Sequence, residues 1–414
     1  IALALAAALR VERLFGVRGA CGVGGAALVL AVVALMIVGR ADLTRSAIAG
    51  RGTTTTAVLR GLWWFADGDG DGFASRFGGG DCNDDDPRVS PAALEIPDNG
   101  RDDNCSDGDF TAAALAPRLE RVPSQYPGAL RRNVILISID TLRADHLGVY
   151  GYQRATSPVI DGLAAQATVF DRAFSPSPST RNAVPALMTS RYPSTLNFRK
   201  GSWPPKLVPR SHTMLGQTFK TAGYRTQAVL CCDEMFDKGS GVIEGIDGVD
   251  ASADKVANKP ADAVARPARD FLKKSAGVTQ PFFLWVHLFD PHDPYVARRG
   301  AESFGHSAMD RYDDEVAHAD AHIAWILEGL LAAGHADDTI VVITADHGEG
   351  FGEHGLRHHG NSLYGELLHV PLIVSVPGAA PRRVETPVST IDLGPTLLDL
   401  VGIAPHAQAL AKHL

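Results

Sequence analysis

Four short apolar runs constrain this chain more than any other feature: NVILISI at 133–139, PFFLWVHL at 281–288, TIVVITA at 339–345 and PLIVSV at 371–376. Each is rich in β-branched or aromatic residues and too short for a helix. That is the character of a strand buried on both faces, as in a parallel sheet. Helical patterns lie between them, near 158–166, 212–222, 261–275, 308–334 and 392–402. Strands separated by helices predict an α/β domain with a mostly parallel central sheet. Ligands in such sheets bind beyond the carboxyl ends of the strands, so the polar residues that follow each run are the first place to look for chemistry.

Four segments carry candidates. Asp140 directly follows the first run, where a carboxylate can hold a metal or simply cap a turn. Asp346-His347 follows the third run, and His359 lies twelve residues on. His287, Asp290 and His292 sit in VHLFDPHDPY, at the end of the second run. Thr180 stands at the expected start of a helix in SPSPSTRNAVPALMTSRYP (175–193). A hydroxyl there is ordinarily an N-cap, but facing a positive helix end it can also serve as an activated nucleophile. Histidine is concentrated in the same part of the chain, with eleven of the 15 between His287 and His369. That bias marks a metal or catalytic centre. Cys231-Cys232, an adjacent pair, reads as buried packing.

The first third is organised differently. The segment 67–109 holds thirteen acidic and three basic residues, so the net charge of −8 arises there and the remainder stands at +2. The acidic balance argues against nucleic acid as a partner. Asp67, Asp69 and Asp71, followed by Gly72, put oxygen ligands at positions 1, 3 and 5 of a tight loop, the opening of a calcium loop. Gly78 replaces the glutamate an EF-hand would carry. Asp81, Asp84, Asp85 and Asp86 could complete the shell, with a solvated acidic linker as the alternative reading. Residues 19–39 are uncharged and flanked by Arg18 and Arg40, which predicts one transmembrane helix, or else a cleaved signal peptide. Arginines on both sides leave its orientation open. Residues 1–9 read as the tail of a helix whose start is missing, and a chain beginning at Ile1 is expected to be a fragment. The expected organisation is therefore a membrane region (1–40), a linker (41–66), an Asp-rich module (67–109), a connector (110–130) and a catalytic domain (131–414).

Two resemblances sharpen these expectations. Segment 67–109, with DGDGDGF, DCNDDDP and SPAALEIPDNGRDDNC, resembles the MopE-like metal-binding motif of bacterial surface proteins. It implies calcium bound by Asp67, Asp69, Asp71, Asp81, Asp84 and Asp86. It also leaves Cys82 and Cys105 to pair as a disulfide, which needs an oxidising compartment. From about Asn133 to Ile403 the chain resembles the sulfatase and alkaline-phosphatase superfamily, through NVILISIDTLRADHLGVYGY, MTSRYPS, TIVVITADHGEGFGEHG, HVPLIVSVPG and STIDLGPTLLDLVGI. This resemblance implies a three-layer α/β/α sandwich. It also implies a divalent metal (zinc, manganese or calcium) on Asp140, Asp346 and His347, bridged by Thr180.

His292 and His359 would touch the anionic group or protonate the leaving oxygen, and His287 and Asp290 would assist in substrate binding. Sulfatases of the usual kind oxidise a Cys or Ser to formylglycine. No Cys lies in 175–193, and Thr cannot take that route. A Thr nucleophile and the DHGEGFGEHGLRHHG segment are similar to the phosphoethanolamine and phosphoglycerol transferases and nucleotide phosphodiesterases of the superfamily. The expected protein is thus a metal-dependent hydrolase of sulfate or phosphate esters. A transferase or phosphodiesterase is the first alternative, and a non-catalytic calcium-binding surface protein the second. It is expected to be membrane-anchored with the catalytic domain periplasmic or extracellular. The small C-terminal subdomain usual in such proteins is expected to be missing. The sequence does not specify an oligomeric state.

Overall fold

The computed structural model describes residues 61–108, apart from 77–78, 92, 94–98, 104 and 106–107, and residues 132–404, apart from 200–206, 208–210, 237–238 and 298–302. The chain divides into two compact units, residues 1–119 and 120–414. The apolar stretches 1–9 and 19–39 lie outside the described residues. Among those that are described, no helix is long and apolar enough to cross a membrane.

The larger unit is built on thirteen strands among its described residues. In chain order they are β1 (Asn133–Ile139), β2 (Thr168–Phe170), β3 (Ala173–Phe174), β4 (Arg225–Leu230), β5 (Gly248–Asp250), β6 (Phe282–Leu288) and β7 (Thr339–Ala345). Then come β8 (Gly350–Phe351), β9 (Arg357–His358), β10 (His369–Val370), β11 (Leu372–Ser375), β12 (Arg382–Val384) and β13 (Val388–Ser389). Eight of them form one sheet in the order β12-β2-β11-β7-β1-β6-β4-β5. The neighbours β7, β1, β6, β4 and β5 all run parallel.

All seven residues of β1, of β6 and of β7 are buried, so both faces of the sheet centre are covered. The covering helices are α1 (Pro158–Ala164), α2 (Thr180–Thr189), α3 (Leu215–Thr221), α4 (Ala261–Ser275), α5 (Ala308–Ala332) and α6 (Leu393–Leu400). Helices α1, α5 and α4 pack in one series, α5 touching both others, and α6, α2 and α3 in a second series with α2 in the middle.

The run 371–376 does form a strand, but β11 is antiparallel to both β7 and β2. A continuous apolar run reports burial on two faces and carries no information about direction. Strand β4 (RTQAVL) was not anticipated. Its Arg225 and Gln227 are half-buried, which breaks up the apolar pattern.

Register sets up the site. Strand β1 lies between β6 and β7, with Ile139 opposite both Leu288 and Ala345. The residues that follow β1 and β7, Asp140 and Asp346, therefore emerge side by side at the carboxyl edge of the sheet.

In the smaller unit a short helix (61–66) leads into the acidic loop. Cys82 and Cys105 are joined as a disulfide, with Cα atoms 5.5 Å apart. Cys231 and Cys232, in the larger unit, are free and buried.

Candidate active site

Asp140, Asp346 and His347 converge with no solvent exposure beyond 1%. His347 Nε2 lies 3.6 Å from Asp140 Oδ1 and 3.4 Å from Asp346 Oδ2. Thr180, the first residue of α2, brings its Oγ1 to 3.0 Å from His347 Nε2 and 3.4 Å from Asp140 Oδ1. The N-cap position belongs to Ser179 instead, so the Thr180 hydroxyl is not spent on capping.

The donor inventory shows what this cluster lacks. His347 Nδ1 lies 2.9 Å from the Gly348 carbonyl, which can only accept, so that nitrogen carries the ring proton. Nε2 then presents a lone pair to two carboxylates. Asp140 Oδ2 and Asp346 Oδ2 are buried with no hydrogen-bond partner. Acceptors facing acceptors in a dry site are costly unless a cation lies between them. Burial, followed by the neighbouring Asp346 charge, pushes the Asp140 pKa well above the usual range, and burial also raises that of Asp346. Burial depresses His347 to about 3 and His287 to about 4, so both rings are neutral at ordinary pH, the form in which imidazole binds metal. Two carboxylates, a neutral imidazole and a hydroxyl fit a divalent cation such as zinc or manganese.

The geometry is held from behind. Thr141 adopts φ 57°, a left-handed conformation unusual for a β-branched residue, and this turns its N–H to Asp346 Oδ1 at 3.3 Å. Tyr312 of α5 clamps that turn: its hydroxyl donates to the Thr141 carbonyl (2.8 Å) and accepts from Arg143 N (2.9 Å). Gly348 packs so closely on the Glu366 carbonyl that a Cβ there would come within 2.1 Å of it.

Above the cluster, the His359 ring lies 4.5 Å from that of His347 and 4.9 Å from that of His292, which stacks on Phe289. His359 Nδ1 is 3.3 Å from buried Glu349, and Tyr295 donates its hydroxyl to the other oxygen of that carboxylate at 2.9 Å. Burial raises Glu349, but the hydrogen bonds from His359 and Tyr295 prevail and hold it below its ordinary value.

Five of the expected residues thus meet in one place with Thr180: Asp140, Asp346, His347, His292 and His359. Two do not have the expected role. Asp290 is fully buried, and its Oδ2 accepts from Ala261 N at the head of α4 (2.8 Å), so it serves a helix end and not the substrate. His287 is also fully buried, with Nε2 3.9 Å from Asp140 Oδ2, and so presents no exposed face to a substrate. Sequence reasoning missed Glu349, Tyr295 and Tyr312. Glu349 had a signal, standing next to the candidate metal pair in Asp346-His347-Gly348-Glu349; Tyr312 had none, as it acts across the fold.

In the smaller unit Asp67, Asp69 and Asp71 also bring carboxylate oxygens together. Asp67 accepts from Gly70 N (2.7 Å) and Gly72 N (3.0 Å), closing the loop. The Oδ2 atoms of Asp69, Asp71 and Asp81 are buried and unpartnered. Asp86 is committed elsewhere, to Arg88 at 2.7 Å and Arg101 at 3.1 Å. Asp84 is committed to Gly68 N and Ser75. Those two expected ligands already accept hydrogen bonds from the protein.

Residues 132–403 match the Sulfatase family model. The chain belongs to the sulfatase family. With it comes membership of the sulfate ester hydrolases. Residues 81–109 match a second model, a putative metal-binding motif of MopE type. An uncharacterized sulfatase of Escherichia coli is 25% identical over 343 residues, covering 66% of this chain and 68% of its own length. An ulvan-active sulfatase of Formosa agariphila is 24% identical over 345 residues, 71% of this chain and 66% of that protein. The chain thus spans about two thirds of the length of these two relatives. Among solved structures, the phosphonate monoester hydrolase of Agrobacterium radiobacter superposes with TM-score 0.57 at 20% identity, over 66% of this chain and 74% of that one. Likeness at that level is a likeness of sulfatase fold.

Proposed function

We propose that this protein cleaves sulfate or phosphate esters through Thr180 as nucleophile, at a single divalent metal held by Asp140, Asp346, His347 and the Thr180 oxygen. One observation carries the reading: the Thr180 hydroxyl lies 3.0 Å from His347 Nε2 and 3.4 Å from Asp140 Oδ1, beside Asp346, whose Oδ2 is buried with no partner. The cation would supply positive charge that lowers the hydroxyl pKa and polarises the ester. Thr180 Oγ1, its proton lost to solvent, forms the new bond to sulfur or phosphorus, and the bond to the alcohol oxygen breaks. With Nδ1 turned to Glu349, His359 has Nε2 left to hand a proton to that leaving oxygen, and His292 lines the same side. Water then attacks the Thr ester and restores the hydroxyl. The amino end of α2 favours the negative charge that builds up at Thr180.

The unpartnered oxygens of Asp69, Asp71 and Asp81 support calcium binding in the acidic module. The disulfide supports a location outside the reducing cytoplasm.

The test is a panel of chromogenic sulfate, phosphomonoester and phosphodiester substrates, with mass spectrometry for an adduct on Thr180. Turnover of one class by the wild type, with loss in Thr180→Ala, is the expected result. Equal turnover by Thr180→Ala refutes the assignment.

A further inference from the structure

His287 stands out among the groups the proposed mechanism leaves unused. It is fully buried, its Nε2 has no hydrogen-bond partner, and the nearest carboxylate oxygen, Asp140 Oδ2 at 3.9 Å, has none either. The other oxygen of Asp140, Oδ1, is the one that faces Thr180 and His347. Asp140 thus has one oxygen toward the reaction and one toward His287.

A chain of hydrogen bonds fixes which nitrogen of His287 carries the proton. Trp285 Nε1–H can only donate, and it donates to Ser138 Oγ at 2.9 Å. Ser138 has a single proton of its own, and its two acceptors are His287 Nδ1 at 2.8 Å and the Val286 carbonyl at 3.4 Å. The shorter contact takes the proton, so Nδ1 accepts and Nε2–H points toward Asp140. The opposite tautomer would set a lone pair against an unpaired carboxylate oxygen in a dry site. Phe236 packs edge-on against the ring at 5.1 Å and keeps it from turning.

We propose that His287 is a positioning residue: the relay Trp285–Ser138–His287 presents an N–H to Asp140 Oδ2 and so reserves Oδ1 for the metal and Thr180. This rests on the reading of Asp140 as a metal ligand. A shift of about 1 Å closes the gap to an ordinary hydrogen bond. Groups that orient a metal ligand in this way typically change affinity by about 10–100-fold when removed.

The experiment titrates the chelator-stripped protein with Mn²⁺ and Zn²⁺, comparing wild type, His287→Gln, His287→Leu and Asp140→Asn. The Gln side chain can still present an N–H near the Nε2 position. The expected result is weakening by about 10–100-fold in His287→Leu and by no more than about threefold in His287→Gln. Unchanged affinity in His287→Leu overturns the proposal, as does equal loss in both variants. Unchanged affinity in Asp140→Asn instead overturns the metal-site reading, so the two failures are distinguishable. Histidine tautomer NMR on the metal-free wild type gives a readout that does not depend on any variant folding. A proton on Nε2 supports the relay, and a proton on Nδ1 refutes it.

Discussion

Replacing Asp346 by Asn should reverse its effect on stability according to whether metal is present. In the metal-free protein Asp346 Oδ1 accepts from Thr141 N at 3.3 Å and His347 N at 2.9 Å, and an Asn oxygen can keep both bonds. Oδ2 has no partner and lies 3.4 Å from His347 Nε2, whose lone pair otherwise meets only the Thr180 hydroxyl at 3.0 Å. An Asn amide placed there can donate toward that lone pair, beside the Thr180 hydroxyl, and replaces one of two adjacent buried carboxyl groups with a neutral one. Relief of an unsatisfied buried acceptor amounts to about 1–3 kcal/mol. At the roughly 2–4 °C per kcal/mol of a large domain, Asp346→Asn should melt a few degrees above the wild type in chelator at pH 8. Saturating metal reverses the order. At a hundredfold excess over Kd the wild type gains about 2.7 kcal/mol by mass action, and the variant, lacking a charged ligand, gains little. Thermal unfolding of both proteins in EDTA and in Mn²⁺ or Zn²⁺ gives the four melting temperatures. A variant that is the less stable in both conditions, or that responds to metal as the wild type does, refutes the electrostatic account of the site.

Other perturbations probe separate parts of the structure. Gly348→Ala drives a methyl group into the Glu366 carbonyl and should cost about 1–3 kcal/mol, with weaker metal binding because the Gly348 carbonyl orients His347; a melting curve and a metal titration check both. Removing the disulfide with Cys82→Ser and Cys105→Ser opens a loop of separation 23 and should cost the smaller unit about 3 kcal/mol, read as faster proteolysis within 67–109 in the full chain. Asp320 of α5 accepts from Val159 N and Ile160 N at the head of α1, yet burial pushes its carboxyl up to about 6 from 3.8. The folded state therefore holds this proton more tightly than the unfolded chain, and the resulting stability is fully present below pH 3.8 and lost as pH rises through about 6. Wild type should gain on Asp320→Asn by roughly 2 kcal/mol between pH 7 and pH 4, and parallel pH profiles would contradict this.

What the sequence reveals about such a site depends on how far each residue must reach to act. Asp140 and Asp346 are readable because two local facts coincide: each follows a run that only a buried strand explains, and such strands end at the ligand edge of the sheet. Thr180 is readable once the helix it opens is placed. Tyr312 is not, because its hydroxyl serves a turn after β1 from a helix much later in the chain, and no pattern within α5 marks it. The antiparallel course of β11 was hidden for a related reason, since apolar composition records burial and not pairing.

His287 and Asp290 show the opposite failure. Both have chemistry suited to a substrate and lie beside His292, which does border the cluster, so proximity in sequence suggested a shared role. Strand geometry separates them. His287 is the sixth of the seven residues of β6, still inside the sheet and opposite Ser138, while His292 lies beyond the strand end. A histidine inside a strand is tied to its neighbours in the sheet and can act only through them. One past the strand end can meet a ligand. That distinction turns on where β6 stops, which a run of apolar letters ending in His-Leu-Phe leaves undefined.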